Sequence, residues 1–158
     1  MKKVLLVLLV LLVVVAGGVS AQVWTTNAPA NFQLRLGDNG GNWQALIDAA
    51  WLFNGKRVNA GEKYELEVVF KADRAIDELK FALVDNSEAV GWWKNLTNSW
   101  PAFKNIAANT DVTLKVSIPA DNAASSAQRP ANKLCIAAEG GSRVVNLTFS
   151  KFTFSRVQ

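Results

Sequence analysis

From Asn31 onward the apolar residues recur at every second position, and this period most constrains what the chain can become. Phe32, Leu34 and Leu36 alternate with Gln33 and Arg35; Tyr64, Leu66, Val68 and Phe70 alternate with Glu65, Glu67 and Lys71. Leu79, Phe81 and Leu83 repeat the pattern, as do Val112, Leu114, Val116 and Ile118. Side chains along a strand point to opposite faces, so each run predicts a strand with one buried face. Leu134 to Ala138 is apolar throughout and predicts a more fully buried strand. In the last run Val145, Leu147 and Phe149 share one parity while Phe152 and Phe154 take the other. A bulge near Ser150-Lys151 restores a common face, because one extra residue resets the alternation, and it is preferred to the alternative of a strand buried on both faces. Asn146, Thr148, Thr153 and Ser155 are then expected to face outward.

Gly, Asn and Asp clusters separate the runs: Gly37 to Gly41, Asn54-Gly55, Asn59 to Gly61, Asp85 to Ser87 and Gly140 to Ser142. These are turn chemistry. Asp121 to Pro130 is polar and rich in Ala and Ser, and is expected to be a mobile loop. Seven to nine short strands so spaced predict a single all-β domain, an antiparallel β-sandwich with jelly-roll topology. Gln44 to Trp51 fits a short helix, and a strand over Ala45 to Phe53 fits as well.

The first 21 residues stand apart. Met1-Lys2-Lys3 is followed by an unbroken apolar run, Val4 to Ala16, and then by small residues ending Val19-Ser20-Ala21. This predicts a secretory signal peptide over residues 1–21, cut before Gln22, with the domain occupying 22–158. The run is shorter than the ~20 residues that a spanning helix needs. A secreted or periplasmic protein is expected, with no membrane association after cleavage and no Cys placed for a lipid anchor. Removing Lys2 and Lys3 takes the formal charge from +4 to +2. The remaining cations are dispersed, which argues against nucleic-acid binding.

The sequence has no His and one Cys, Cys135. An intrachain disulfide is impossible, and Ser-His-Asp, Cys-His and His-ligated zinc chemistry are excluded. Cys135, inside the apolar run, reads as a small core residue. A glycosidase would need two carboxylates across a cleft. Glu65 and Glu67 lie side by side on one strand and read as a solvated face, so no catalytic residue is assigned. The Asp38-Asn39 turn reads as a turn rather than a cation site.

Six Trp against one Tyr is more indole than a small core needs. Most sit beside turns, and Gly91-Trp92-Trp93-Lys94-Asn95 through Trp100-Pro101 is the densest cluster. Sugar rings stack their C–H faces on exposed indoles while hydroxyls bond nearby amides and charges. Trp92, Trp93, Trp51 and Trp43 are the expected stacking residues, with Arg35, Gln44 and Asn95 as polar partners. Within Trp92-Trp93, strand geometry sends one ring inward and the other outward.

The stretch Val58-Asn59-Ala60-Gly61-Glu62-Lys63-Tyr64-Glu65-Leu66-Glu67-Val68-Val69-Phe70-Lys71-Ala72 resembles the central strand of jelly-roll carbohydrate-binding modules of the family four, nine and twenty-two type. A Gly-x-x-Tyr turn enters a strand that ends in an aromatic and Lys-Ala. The order of Trp-bearing regions and strands is similar from about Phe32 to Val157. The resemblance implies a non-catalytic domain that binds β-glucan, xylan or a related polysaccharide. It also implies, in many members, a structural calcium held partly by an Asp of the final strand. Phe152 to Val157 contains no acidic residue, and no cofactor is expected. The alternatives are a structural or protein-interaction domain with cell-envelope partners and, third, a small glycoside hydrolase.

Overall fold

The computed structural model describes residues 22–37, 44–47, 49–53, 55–125, 132–139 and 144–158. The expected signal peptide, Trp43, most of the Gly37 to Gly41 turn, the Gly140 to Ser142 turn and residues 126–130 lie outside the described residues.

The alternating runs become strands at the places where alternation is strongest. Lys63–Ala72 (β4) buries Tyr64, Leu66, Val68, Phe70 and Ala72 and turns Glu65, Glu67 and Lys71 outward. It pairs antiparallel with Val112–Pro119 (β8) on one side and Val145–Val157 (β10) on the other. Gln22–Asn27 (β1) and Phe32–Leu36 (β2) pair with successive halves of β10, completing the first sheet. The second sheet runs in the order Gln44–Ile47 (β3), Asn132–Glu139 (β9), Ile76–Asp85 (β5), with Lys94–Asn95 (β6) and Ala102–Ile106 (β7) both on the far side of β5. The two antiparallel sheets form a jelly-roll sandwich of ten strands among the described residues, against the seven to nine expected.

One apolar core lies between the sheets. Tyr64, Leu66, Phe70, Phe149 and Phe154 of the first sheet face Leu79, Phe81, Leu83, Leu134 and Ile136 of the second. Burying each such side chain contributes ~1.5–3 kcal/mol. At one end Tyr64 and Phe154 stack at 5.4 Å with ring planes 11° apart, and Phe53 meets Phe154 edge-on at 5.2 Å.

The bulge in β10 is present: its register against β4 shifts between Phe149 and Lys151. Leu147, Phe149, Phe152 and Phe154 therefore all reach the core, with Ser150 and Lys151 exposed. Ser155 departs from the expectation of an outward residue, being only 3% exposed. β1 and β4 flank it there, and its hydroxyl lies 2.9 Å from Oγ1 of Thr25.

Gln44 to Trp51 is neither a helix nor a strand throughout. It is strand β3 followed by a single helical turn, Ala49–Leu52 (α1). Asp121 to Ser125, expected to be mobile, is tied down. Asp121 N–H bonds Leu96 O at 2.7 Å, Ala124 N–H bonds Val58 O at 3.1 Å, and Ala124 is buried.

Candidate functional site

β5 and β9 are buried on both faces, and the reason locates the site. Their inward residues Leu79, Phe81, Leu83, Leu134 and Ile136 fill the core. Their outward residues Ala82, Val84 and Cys135 are also fully covered and form a second cluster with Leu46, Ala137 and Trp100. The outer face of this sheet thus has a floor of small apolar side chains with an indole laid against it. Cys135 sits in that floor as a packed hydrophobe, its thiol pushed up to about 12 by burial.

Trp93 joins Trp100 there, with ring centroids 6.5 Å apart and planes 26° from parallel. The chain between them makes a short excursion fixed at its middle. Leu96 is buried in the core, and Leu96 and Thr97 both donate their N–H to Leu83 O. The buried Thr97 hydroxyl accepts from Leu83 N–H at 3.0 Å and donates to Pro119 O at 2.8 Å. Phe81 N–H to Pro101 O, 3.0 Å, closes the excursion. The segment that follows β8 clasps the outside: Lys94 Nζ bonds Ala123 O, Asn122 Nδ2 bonds Asn95 O and Asn98 Oδ1, and Asn98 N–H bonds Asp121 Oδ2. Asn95 Oδ1 accepts from Trp93 Nε1 at 3.0 Å, which orients the indole. Its other amide group remains available to a ligand.

Polar groups border the floor. Gln44 stands on β3 beside Cys135, with Oε1 3.7 Å from Sγ. Across Ala137 from Gln44, Lys80 Nζ lies 3.1 Å from Glu78 and 2.8 Å from Glu139. These two carboxylates are held side by side on one ammonium, not across a cleft. The Lys80 hydrogen bond keeps Glu139 below its ordinary range, so it holds no proton to donate at neutral pH.

The expected site residues separate into groups. Trp93, Asn95 and Gln44 share the outer face of the second sheet, together with Trp100, which had not been singled out. Trp92 is 61% exposed on the neighbouring turn, at φ 69°. The expectation that Trp92 and Trp93 point to opposite sides of a strand fails. Both rings are exposed, because a 3₁₀ turn over Glu88–Val90 and Gly91 at φ 67° precede them and no strand alternation applies. Trp51, on α1, meets Phe32 at 6.1 Å and Phe152 at 6.2 Å, both edge-on, with 37% of the residue still exposed. Arg35 is on β2 opposite Asn146, on the outer face of the other sheet. Glu65 and Glu67 lie on that same outer face, each paired to a Lys, Lys115 at 3.2 Å and Lys151 at 2.6 Å.

Among the described residues, the calcium implied by the resemblance finds no fitting ligands. β10 carries no carboxylate, and among the described residues no group of three or more acidic, His or Cys side chains gathers to hold a metal. Arg156 near the end of β10 pairs instead with Glu62 at 3.0 Å, a cation where a metal would need an acid. No described helix is long and apolar enough to cross a membrane.

No protein-family model and no curated protein matches the sequence. Among solved structures, a CBM4 carbohydrate-binding module is 12% identical at a TM-score of 0.47, over 78% of this chain and 94% of that one. The structure of infectious bursal disease virus, Gt strain, gives 13% and 0.47 over 85% of this chain and 31% of the viral one. An arabinose-bound α-L-arabinofuranosidase gives 11% and 0.52 over 83% of this chain, which spans only 22% of that enzyme. At these identities the likeness is one of fold, and the fold is the jelly-roll β-sandwich.

Proposed function

We propose that the outer face of the β3-β9-β5-β6 sheet binds a polysaccharide chain without changing it. The observation that carries this reading is the Trp93–Trp100 pair, near-parallel and fixed to a floor of small side chains. A sugar ring laid on Trp93, above this covered floor, meets an indole face on one side and amide groups on the other. Trp93 is the stacking residue, Trp100 its support, and Asn95 and Gln44 the hydrogen-bonding partners. Trp92 extends the aromatic surface at its edge. Trp51, Trp43 and Arg35 stay as secondary candidates, with Trp51 and Arg35 placed on other parts of the surface. Carbohydrate-binding modules resembled in sequence supply the substrate class, β-glucan or xylan. We further propose that residues 1–21 direct export and that the domain works outside the cytoplasm.

Affinity electrophoresis through gels containing soluble β-glucan or xylan tests the reading. Wild-type protein should be retarded, and Trp93→Ala should migrate as in the glycan-free gel while keeping its circular dichroism. A folded Trp93→Ala retarded as strongly as wild type would overturn the assignment. Release of reducing sugar from either glycan would overturn the non-catalytic part.

A further inference from the structure

Cleavage before Gln22 would leave a glutamine with a free α-amine at the head of β1. Unperturbed α-amines titrate at ~8, so a useful share of such a group is neutral and nucleophilic at neutral pH. The Gln22 side chain is exposed, and its amide lies at the surface, where Thr25 Oγ1 donates to Gln22 Oε1 at 3.1 Å. Core packing therefore does not restrain it. The register against β10 is irregular between Gln22 and Trp24 and continuous from Trp24 to Asn27. Gln22 can thus change its backbone without disturbing the ladder that follows.

β1 is the outermost strand on its side of the first sheet, and its front end carries weight. Trp24 packs on the core, meeting Tyr64 at 5.9 Å and Phe154 at 6.0 Å. Further along, Thr26 Oγ1 donates to Leu52 O at 2.9 Å and ties β1 to α1. In a chain that starts at Gln22, only Val23 stands between the first residue and this indole. Trimming from the front would soon strip Trp24 and bare Tyr64 and Phe154 on that side.

We propose that, once residues 1–21 are cut away, Gln22 closes on itself to a pyroglutamyl lactam that shields β1 from exopeptidases. This rests on the proposed cleavage before Gln22, and glycan binding has no part in it. The freed α-amine attacks Cδ of its own side chain. The N–Cδ bond forms, the Cδ–Nε2 bond breaks, and a proton from the amine leaves with Nε2 as ammonia. The ring is five-membered, both partners belong to one residue, and no oxidant or cofactor enters. An aminopeptidase engages a free α-amine, and the lactam has none.

The test uses the full chain, leader included, expressed in a secreting bacterial host, with the exported protein purified and held at neutral pH. Its intact mass should equal residues 22–158 less one ammonia. Peptide mapping should place the loss on Gln22, since a succinimide at Asn39-Gly40 or Asn54-Gly55 loses ammonia too. Edman degradation should be blocked, and should read Val23 first after treatment with pyroglutamyl aminopeptidase. Gln22→Ala, at an exposed position, should be exported and fold alike without the loss. Leucine aminopeptidase should leave wild type intact, trim Gln22→Ala past Trp24 and lower its melting temperature. The proposal is overturned if Gln22 keeps its amide and a free amine after prolonged incubation, or if Gln22→Ala and wild type are trimmed alike or resist alike. A chain that begins at any residue but Gln22 overturns the cleavage and this proposal with it, whereas a persistent free Gln22 overturns this proposal alone.

Discussion

Thr97 is the residue on which the candidate site turns. Its buried hydroxyl is both acceptor for Leu83 N–H and donor to Pro119 O, linking β5, the Trp93–Trp100 excursion and the end of β8. Thr97→Val keeps the shape but orphans the buried Leu83 N–H and the part-buried Pro119 O, so it should cost ~1–3 kcal/mol in urea unfolding. Thr97→Ser should recover most of that loss. Trp92 carries the opposite sort of burden, since φ 69° is strained for any side chain with a Cβ. Trp92→Gly should therefore leave stability unchanged or raise it by ~0.5–1 kcal/mol, measured by thermal melting. Glu62 ties stability to pH. Burial alone would raise its pKa, but bonds from Tyr64 and Asn59 and the Arg156 charge outweigh burial and lower it. A carboxyl whose folded pKa lies below its unfolded value adds stability above the unfolded value and loses it as pH falls through the folded one. Glu62→Gln should thus melt lower than wild type at neutral pH, with the gap closing below pH ~4. A constant gap across that range would refute the assignment.

At the scale of elements, the strand pattern was legible wherever alternation was unbroken, as in β4, β5 and β8. It was legible even across the β10 bulge, because five apolar residues in two parities have one economical solution. Deleting Ser150 should turn Phe152 and Phe154 to solvent, and loss of the cooperative unfolding transition in a thermal melt is expected. The sequence could not place Trp93 and Trp100. They sit in irregular backbone, where neither period applies, and their stacking depends on Leu96 and Thr97 being anchored to β5. Ser155 was misplaced for a similar reason, since β1 comes from the other end of the chain to cover it. The segment Asp121 to Ser125 looked loose by composition but is held by bonds to Leu96 and Val58 that no local pattern announces.

For the whole molecule, the double burial of β5 and β9 makes Cys135 a reporter of global unfolding. The thiol is fully buried and pushed up to about 12, so it reacts slowly while Trp100 and Leu46 stay packed over the outer face of β9. Labelling by a thiol reagent should track the unfolding curve given by tryptophan fluorescence; rapid labelling under native conditions would contradict the packing described. The alternation of apolar residues by itself determined that this chain forms half-buried strands, and the number and spacing of the runs and turns between them pointed to an antiparallel sandwich. The absence of His and the single Cys likewise excluded Ser-His-Asp, Cys-His and His-ligated zinc chemistry and an intrachain disulfide. Only the tertiary structure decided which aromatics meet. Trp93 reaches Trp100, Trp51 goes to Phe32 and Phe152, and Arg35 goes to the opposite sheet. Strand order and loop anchoring are set by contacts between residues far apart in the chain, and those leave no periodic trace in the sequence.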